Sequence, residues 1–435
     1  MSNVHLRVYA NRSELVHPDK IEIFFEGTPS NEAKRRYRKI ANALQEGFLV
    51  KQIELCQNGS VSELVFQKIK QKDILLIDQL VDSLTSQVGR ALIAIAIMQL
   101  CVKSIEPKQS IRLHKSGPGT HNFSWKEGIS MRSLDRNYIT PILREYNLLH
   151  LNRDGFMMTR SLAENYPYSV VYKAQLRGAK NEWVQLVERV ENGPTEPIIA
   201  LRYLITLLLN RAENFVTLVD QMLLALNTFL NKANAEDIYR TIWLHIKTSD
   251  YAARLMEIAM HSFIQALWEV GALTAGEVVP LSQMRSANKK HGNIGDVEIA
   301  YEGEIIESWD AKYGKTYLRD EIEELHDKLR YHPNVSTAGF VTSEEPDRIE
   351  EVENRIQDIE SFYDVEIPLL TFYKWIQLHL DKIRNEKITN DLDIHRRWLK
   401  SYAECLGQKR RNIAPIDEPC HRWVEELDRL LKKAF

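Results

Sequence analysis

Between Gly295 and Lys315 the chain reads GDVEIAYEGEIIESWDAKYGK, two runs in which apolar and polar positions alternate, joined by Glu302-Gly303. A period of two predicts strands, and the Glu-Gly pair marks the turn between them. Downstream the period switches back and forth. An acidic helix is expected over Leu318–Leu329, a strand over Ser336–Thr342, a second acidic helix over Asp347–Phe362, a strand over Glu366–Thr371 and a helix from Tyr373 to about Arg384. A helix upstream, YAARLMEIAMHSFIQALWEVGA, ends at Gly271. The resulting order, α-β-β-α-β-α-β, predicts a mixed sheet flanked by helices.

The front of the chain has a different pattern. Strand-like pieces at His5–Tyr9, Lys20–Phe25 and Phe48–Glu54 accompany a helix over Asn31–Gln45, and an almost wholly apolar run from Gln87 to Val102 reads as a buried core helix. After Pro107 comes a polar, basic loop, IRLHKSGPGTHNFSWKEG. Ser130–Tyr146 has helical spacing, with Leu134, Ile139, Ile142 and Leu143 on an apolar side and Arg132, Arg136, Asn137 and Arg144 as polar candidates; Pro141 should kink or shorten it. Two strand-like pieces around an Asn-Arg-Asp-Gly turn follow in NLLHLNRDGFMMTRSL, the form of a hairpin wing. Helical periodicity then dominates residues 170–248, and the last 50 residues are helical and charged. The expected class is α/β (α+β), in five segments: a small α/β subdomain at 1–88, a helix-and-wing subdomain at 89–168, a helical connector at 169–248, the mixed-sheet domain at 249–385 and a helical extension at 386–435.

Composition adds bounds. With 44% hydrophobic and 27% charged residues in 435, the chain has enough material for two or three cores. No apolar run reaches the ~20 uninterrupted residues of a membrane span, and the start, MSNVHLRVYANRSE, has no basic-then-apolar leader, so a soluble cytoplasmic protein without a membrane partner is expected. Cys56, Cys101, Cys405 and Cys420 are scattered singly, without the pairing of a zinc site or disulfide scaffold. Charge is unevenly spread: residues 1–250 carry 32 basic and 26 acidic side chains, and 251–435 carry 25 and 34. The front therefore faces a polyanion more readily. Basic candidates there are the run Lys34, Arg35, Arg36, Arg38 and Lys39, then Lys115, Arg132, Arg136, Asn137 and Arg153; Arg285, Lys289 and Lys290 form a second basic stretch ahead of Asp296. A solvated basic helix face is the competing explanation for the first run, and a plain basic loop for the last.

The chemistry gathers at the opening stretch. Asp310 and Lys312 lie two apart on one strand, so the pleat turns both to one face, and Asp296 stands across the hairpin. A bare Asp-x-Lys triplet is commonplace surface chemistry; its context decides. That context resembles the PD-(D/E)xK nuclease superfamily, to which most type II restriction endonucleases belong. The resemblance matches Asp296 to the acid opening the second core strand, Asp310-Ala311-Lys312 to the triplet, and Glu257 to the glutamate of the preceding helix; Gly295 replaces the proline before the first acid. It implies Mg2+ held by Asp296, Asp310, the Ala311 carbonyl and Glu257, with Lys312 beside the attacking water. Glu269 rivals Glu257, while Glu298 shares a face with Asp296 and Glu307 points away from Asp310. His291 reads as a loop hydrogen-bonding residue.

The helix and wing at 130–162 resemble winged-helix DNA-binding domains. Together the resemblances imply a site-specific endonuclease on double-stranded DNA, with a recognition half ahead of the nuclease as in type IIS enzymes and a homodimer at least on DNA. The alternatives are a DNA-binding regulator with an inert nuclease-like domain, or a repair or recombination nuclease of the same fold. If Arg136 belongs to a recognition helix, Arg136→Ala should weaken binding to the cognate duplex by about 1–3 kcal/mol in a fluorescence-anisotropy titration; unchanged binding would remove that assignment.

Overall fold

A computed structural model describes residues 4–59, 61–84, 87–116, 123–149, 151, 160–176, 178–273, 276–280, 293–386, 390–409 and 419–433. The chain is of mixed α and β structure and divides into two compact units, one over Met1–Val216 and one over Thr217–Pro415 with Pro419–Phe435.

The first unit opens with an antiparallel meander of β1 (His5–Val8), β2 (Arg12–Val16) and β3 (Ile21–Phe25). α1 follows at Asn31–Gln45, started by the Ser30 hydroxyl, which accepts the Ala33 N–H at 3.0 Å. Then come α2 (Phe48–Gln57), α3 (Ser62–Lys68), α4 (Gln71–Asp82) and α5 (Gln87–Ile105). The strand expected over Phe48–Glu54 is thus a helix. Leu49, Gln52, Ile53 and Cys56 are its buried positions, an i, i+3, i+4, i+7 stripe. Burial of that stripe overrides the β-branched Val50 and Ile53 that suggested a strand. Most of residues 31–88 is helical, where one helix had been expected.

α5 is buried around its whole circumference, with Ala91–Met98 at 1% exposure or less. Its length and apolar make-up would suffice for a membrane span, yet most of it lies inside the unit's core. One polar side chain interrupts it. Gln99 donates to the Ile111 carbonyl at 2.9 Å and accepts from the Trp183 indole at 2.9 Å, so both ends of the buried amide are satisfied.

The segment expected as one helix over Ser130–Tyr146 is α6 (Met131–Leu134), a π turn (Asp135–Ile139) and α7 (Thr140–Glu145). Pro141 explains the break: it has no N–H to donate into the preceding turn, and the backbone widens to i→i+5 just before it. Leu134, Ile139 and Leu143 are buried, as their spacing predicted. Most of the wing, His150 and residues 152–159, lies outside the described residues; its expected end is not a strand, since Arg160–Ala163 forms a 3-10 turn. α8 (Lys180–Glu191) and α9 (Pro197–Leu230) follow, the division between units falling within α9.

The second unit contains α10 (Ala235–Thr248), α11 (Ala252–Glu269), β4 (Glu277–Val278), β5 (Val297–Tyr301), β6 (Glu304–Lys312), α12 (Arg319–Leu329), β7 (Thr337–Thr342), α13 (Glu350–Tyr363), β8 (Leu369–Thr371), α14 (Phe372–Glu386), α15 (Asp391–Glu404) and α16 (Cys420–Lys433). The strands form one mixed sheet in the order β4-β5-β6-β7-β8. β4, β5 and β6 run antiparallel, whereas β6, β7 and β8 are parallel and joined by crossovers through α12 and α13. The β5–β6 turn has φ of +52° at Glu302 and +86° at Gly303, the two positive angles of a type I′ hairpin.

β6 lies at the centre of the sheet, and its alternation divides two environments. Trp309 turns to the face where Trp375 and His379 of α14 pack, with ring centroids 6.0 and 5.9 Å away. Asp310, in register with Phe340, turns to the face where Ile322 and Leu325 of α12 meet Ile356 of α13. Gly339 makes room for the indole: a Cβ there would lie 2.2 Å from the Trp309 ring and 3.0 Å from the Pro368 carbonyl. Gly339→Ala should therefore cost about 1–3 kcal/mol in a denaturant titration by displacing Trp309, and loss of less than a few tenths would show that the ring is not confined.

Candidate active site

The opening turn of β5 sets the first acid. The Asp296 N–H donates to the Trp309 carbonyl at 2.9 Å, and its Oδ2 accepts the Ala311 N–H at 3.0 Å. The carboxylate is thereby tied to the backbone between Asp310 and Lys312. Gly295 permits this approach, since a Cβ would stand 2.8 Å from the Trp309 carbonyl oxygen. Glu298 secures the same turn from below. It is buried and accepts the N–H groups of Ile294 at 2.6 Å and Gly295 at 3.3 Å, with burial holding its carboxyl above the usual range against those two donors. Its oxygens thus hold the loop that carries Asp296.

Asp310 and Lys312 close β6 as an ion pair, Nζ to Oδ2 at 2.8 Å, each about one-fifth exposed. Burial opposes the Lys312 charge, but the Asp310 charge and hydrogen bond, reinforced by Asp296 and Glu321, outweigh it and raise the ammonium above its ordinary range. Asp296 is also shifted upward, but there the charged form is the one disfavoured. Desolvation, the charges of Asp310 and Glu257 and a hydrogen bond with Asp310 raise its carboxyl well above the ordinary range, against the opposing Ala311 N–H. Asp310 and Glu257 thus act on Asp296, and Asp310, Asp296 and Glu321 act on Lys312, at one end of β6.

The helix rivals separate clearly. Glu257 of α11 is within electrostatic reach of Asp296 and pairs with Arg254. Glu269, a further three turns along, forms an ion pair with Arg397 and accepts from Gln265 at 2.9 Å. Glu307 accepts the Trp309 indole N–H at 2.6 Å on the opposite face of β6. Sequence reasoning missed Glu321, whose charge reaches Lys312; an acid in the first turn of a helix is so ordinary that no signal separated it from a favourable dipole interaction.

Among the described residues, no group of three or more His, Cys, Asp or Glu side chains is spaced to hold a metal ion. The donor chemistry nevertheless suits Mg2+. The donors that converge are carboxylate oxygens, the ligand type Mg2+ takes; burial first, then the charges of Asp310 and Glu257, raises the Asp296 carboxyl.

The DNA-facing candidates fall into three sets. Arg35, Arg38, Arg132, Arg136 and Asn137 are exposed. Arg36 is only 12% exposed, paired with Glu127 at 2.7 Å and Gln109 at 2.8 Å, and Lys115 donates to Asn165 at 2.5 Å. These two serve internal contacts. Arg153, Arg285, Lys289, Lys290 and His291 lie outside the described residues. No protein-family model matches the chain, and no curated protein matches it.

The raised Asp296 carboxyl has a stability consequence with a definite sign. A carboxyl whose folded pKa exceeds its unfolded value favours the fold at low pH and disfavours it as pH rises through the folded value. Asp296→Asn, which keeps an acceptor for Ala311, should raise the melting temperature in EDTA, and by more at pH 8 than at pH 5. A variant melting below wild type at both pH values would contradict the repulsion.

Proposed function

We propose that this chain is a Mg2+-dependent, site-specific endonuclease of double-stranded DNA, a type II restriction enzyme of PD-(D/E)xK type with recognition ahead of cleavage. One observation carries the reading: Asp296, Asp310, Lys312 and Glu257, drawn from the turn before β5, from β6 and from α11, up to 55 positions apart in sequence, converge electrostatically at the end of β6. A purely structural cluster has no need to bring three carboxylates together with one cation, because the crowding opposes folding. The exposed Arg132, Arg136 and Asn137 on the 131–145 segment support a groove-contacting role in the other unit.

In this reading Asp296 and Asp310 hold Mg2+, joined by the Ala311 carbonyl and Glu257. When bound there, Mg2+ would supply charge neutralisation at the scissile phosphate and a more acidic bound water. The chain's own groups then have distinct tasks. Asp310 keeps the Lys312 ammonium in place through their 2.8 Å pair. Lys312, a compact cation, orients the attacking water and stabilises negative charge as the phosphorane-like transition state develops. Ala311 fixes Asp296 by its N–H, so the ligand oxygen cannot swing away from the strand end. Cutting both strands takes two such centres, hence a homodimer on DNA.

Plasmid DNA incubated with the protein and Mg2+ should give discrete bands. Asp310→Ala and Lys312→Ala should each reduce cleavage by at least about 100-fold while leaving the melting temperature near wild type. Absence of cleavage by wild type with Mg2+ or Mn2+ would sink the enzyme reading and leave a DNA-binding protein with an inert domain.

A further inference from the structure

Where α3, α5 and α8 end and α4 and α9 begin, the first unit holds a cavity of about 690 Å3, inside the size range of small-molecule sites. Ile69, Pro107, Val190, Pro194, Pro197 and Ile198 make part of its wall apolar. Lys68, Lys70 and Lys103 supply the cations. Two acids of the wall are already committed. Asp73, 2% exposed, accepts from the Arg189 Nε and from the Thr195 hydroxyl, each at 2.6 Å. Glu191 pairs with Lys103 at 2.8 Å and accepts the Ser110 hydroxyl and the Ile111 N–H with its other oxygen. The charges of Asp73 and Glu191 are thus cancelled within the protein, by Arg189 and Lys103.

Lys68 and Lys70 stand outside that balance. They flank Ile69 in the short extended link between α3 and α4, and among the described residues neither ammonium has an acid partner. Glu196, the remaining acid of the wall, is exposed just ahead of α9, where the positive end of the helix offsets its charge. A phosphate monoester carries close to two negative charges at neutral pH, which matches two uncommitted lysines; a carboxylate or a phosphodiester matches only one. We propose that the cavity binds a small phosphate monoester, with its dianion between Lys68 and Lys70 and its organic body against Ile69, Pro194 and Ile198. Lysine suits that role as a point charge on a flexible stem, able to reach a phosphate without a fixed fork. The apolar wall gives the ligand's body a surface that water alone covers poorly, so charge and body both contribute to binding. Every residue of the site belongs to the first unit, and the inference stands whether or not the chain cuts DNA.

The probe is phenyl phosphate, a dianion on an apolar ring, titrated into the full-length protein in EDTA and followed by ligand-observed proton NMR. A Kd of about 1 mM or tighter is expected, with binding at least about tenfold weaker for phenol, which lacks the charge, and for inorganic phosphate as a competitor, which lacks the body. Lys68→Gln/Lys70→Gln should weaken phenyl phosphate by at least about tenfold. Lys51→Gln/Lys72→Gln makes an equal charge change at exposed lysines outside the cavity and should bind as wild type does. Both double variants replace exposed side chains, and melting temperatures near wild type verify that they fold. No binding of phenyl phosphate by wild type at about 10 mM overturns the proposal. Equal affinity for inorganic phosphate and phenyl phosphate overturns it too, by reducing the site to a patch of positive charge, as does an equal loss in the two double variants.

Discussion

The hold of the Ala311 N–H on Asp296 is the contact on which the candidate site turns. It fixes a carboxylate beside a second carboxylate at the end of a central strand, where desolvation and like charge both oppose ionisation. Everything nearby can be read as containing that repulsion. Glu298 spends its own charge on two N–H groups so that the loop before β5 cannot open. Lys312 offsets Asp310 directly, and the β7 and β8 ladders keep β6 from shifting register to relieve the crowding. That local repulsion is set against the packing of Trp309 and Phe340 on the two faces of the sheet.

Much of the second unit was legible because its signals are local. The Glu302-Gly303 turn, the alternation in β6 and the amphipathic α12 and α13 each follow from a handful of neighbouring residues, and α-β alternation limits the topology. Asp296, Asp310 and Lys312 were readable for the same reason, a hairpin and a pleat being enough to relate them. Choosing Glu257 over Glu269 by helix position had a weaker basis; the Arg397 partner of Glu269 lies 128 residues away and no periodicity announces it. The pleat places Glu298 on the face of Asp296, but its side chain curls back to the N–H groups of Ile294 and Gly295, a contact that alternation does not encode.

The first unit was less legible. Phe48–Gln57 became a helix because neighbouring helices bury one of its stripes, and a ten-residue window rich in Val, Ile and Leu fits either period. Arg36 shows the corresponding limit for function. Within a run of five basic residues it looked like its neighbours, and only the fold reveals that Glu127, 91 residues on, has already claimed its guanidinium. Composition thus identified where positive charge accumulates, while the three-dimensional pairing decides which of those charges is left for a ligand.

The type I′ turn has a consequence for how the site comes into being. Asp296 and Asp310 are related by a hairpin whose chain separation is small, and such hairpins form on the scale of about 1–10 μs, far ahead of contacts between distant segments. Glu257 and the parallel partner β7 come from much farther along the chain. The two acids are therefore covalently destined to meet before the elements that hold them together have arrived. The sharp Glu302-Gly303 reversal therefore sets assembly as well as geometry, because the turn length fixes the register in which the two ends meet.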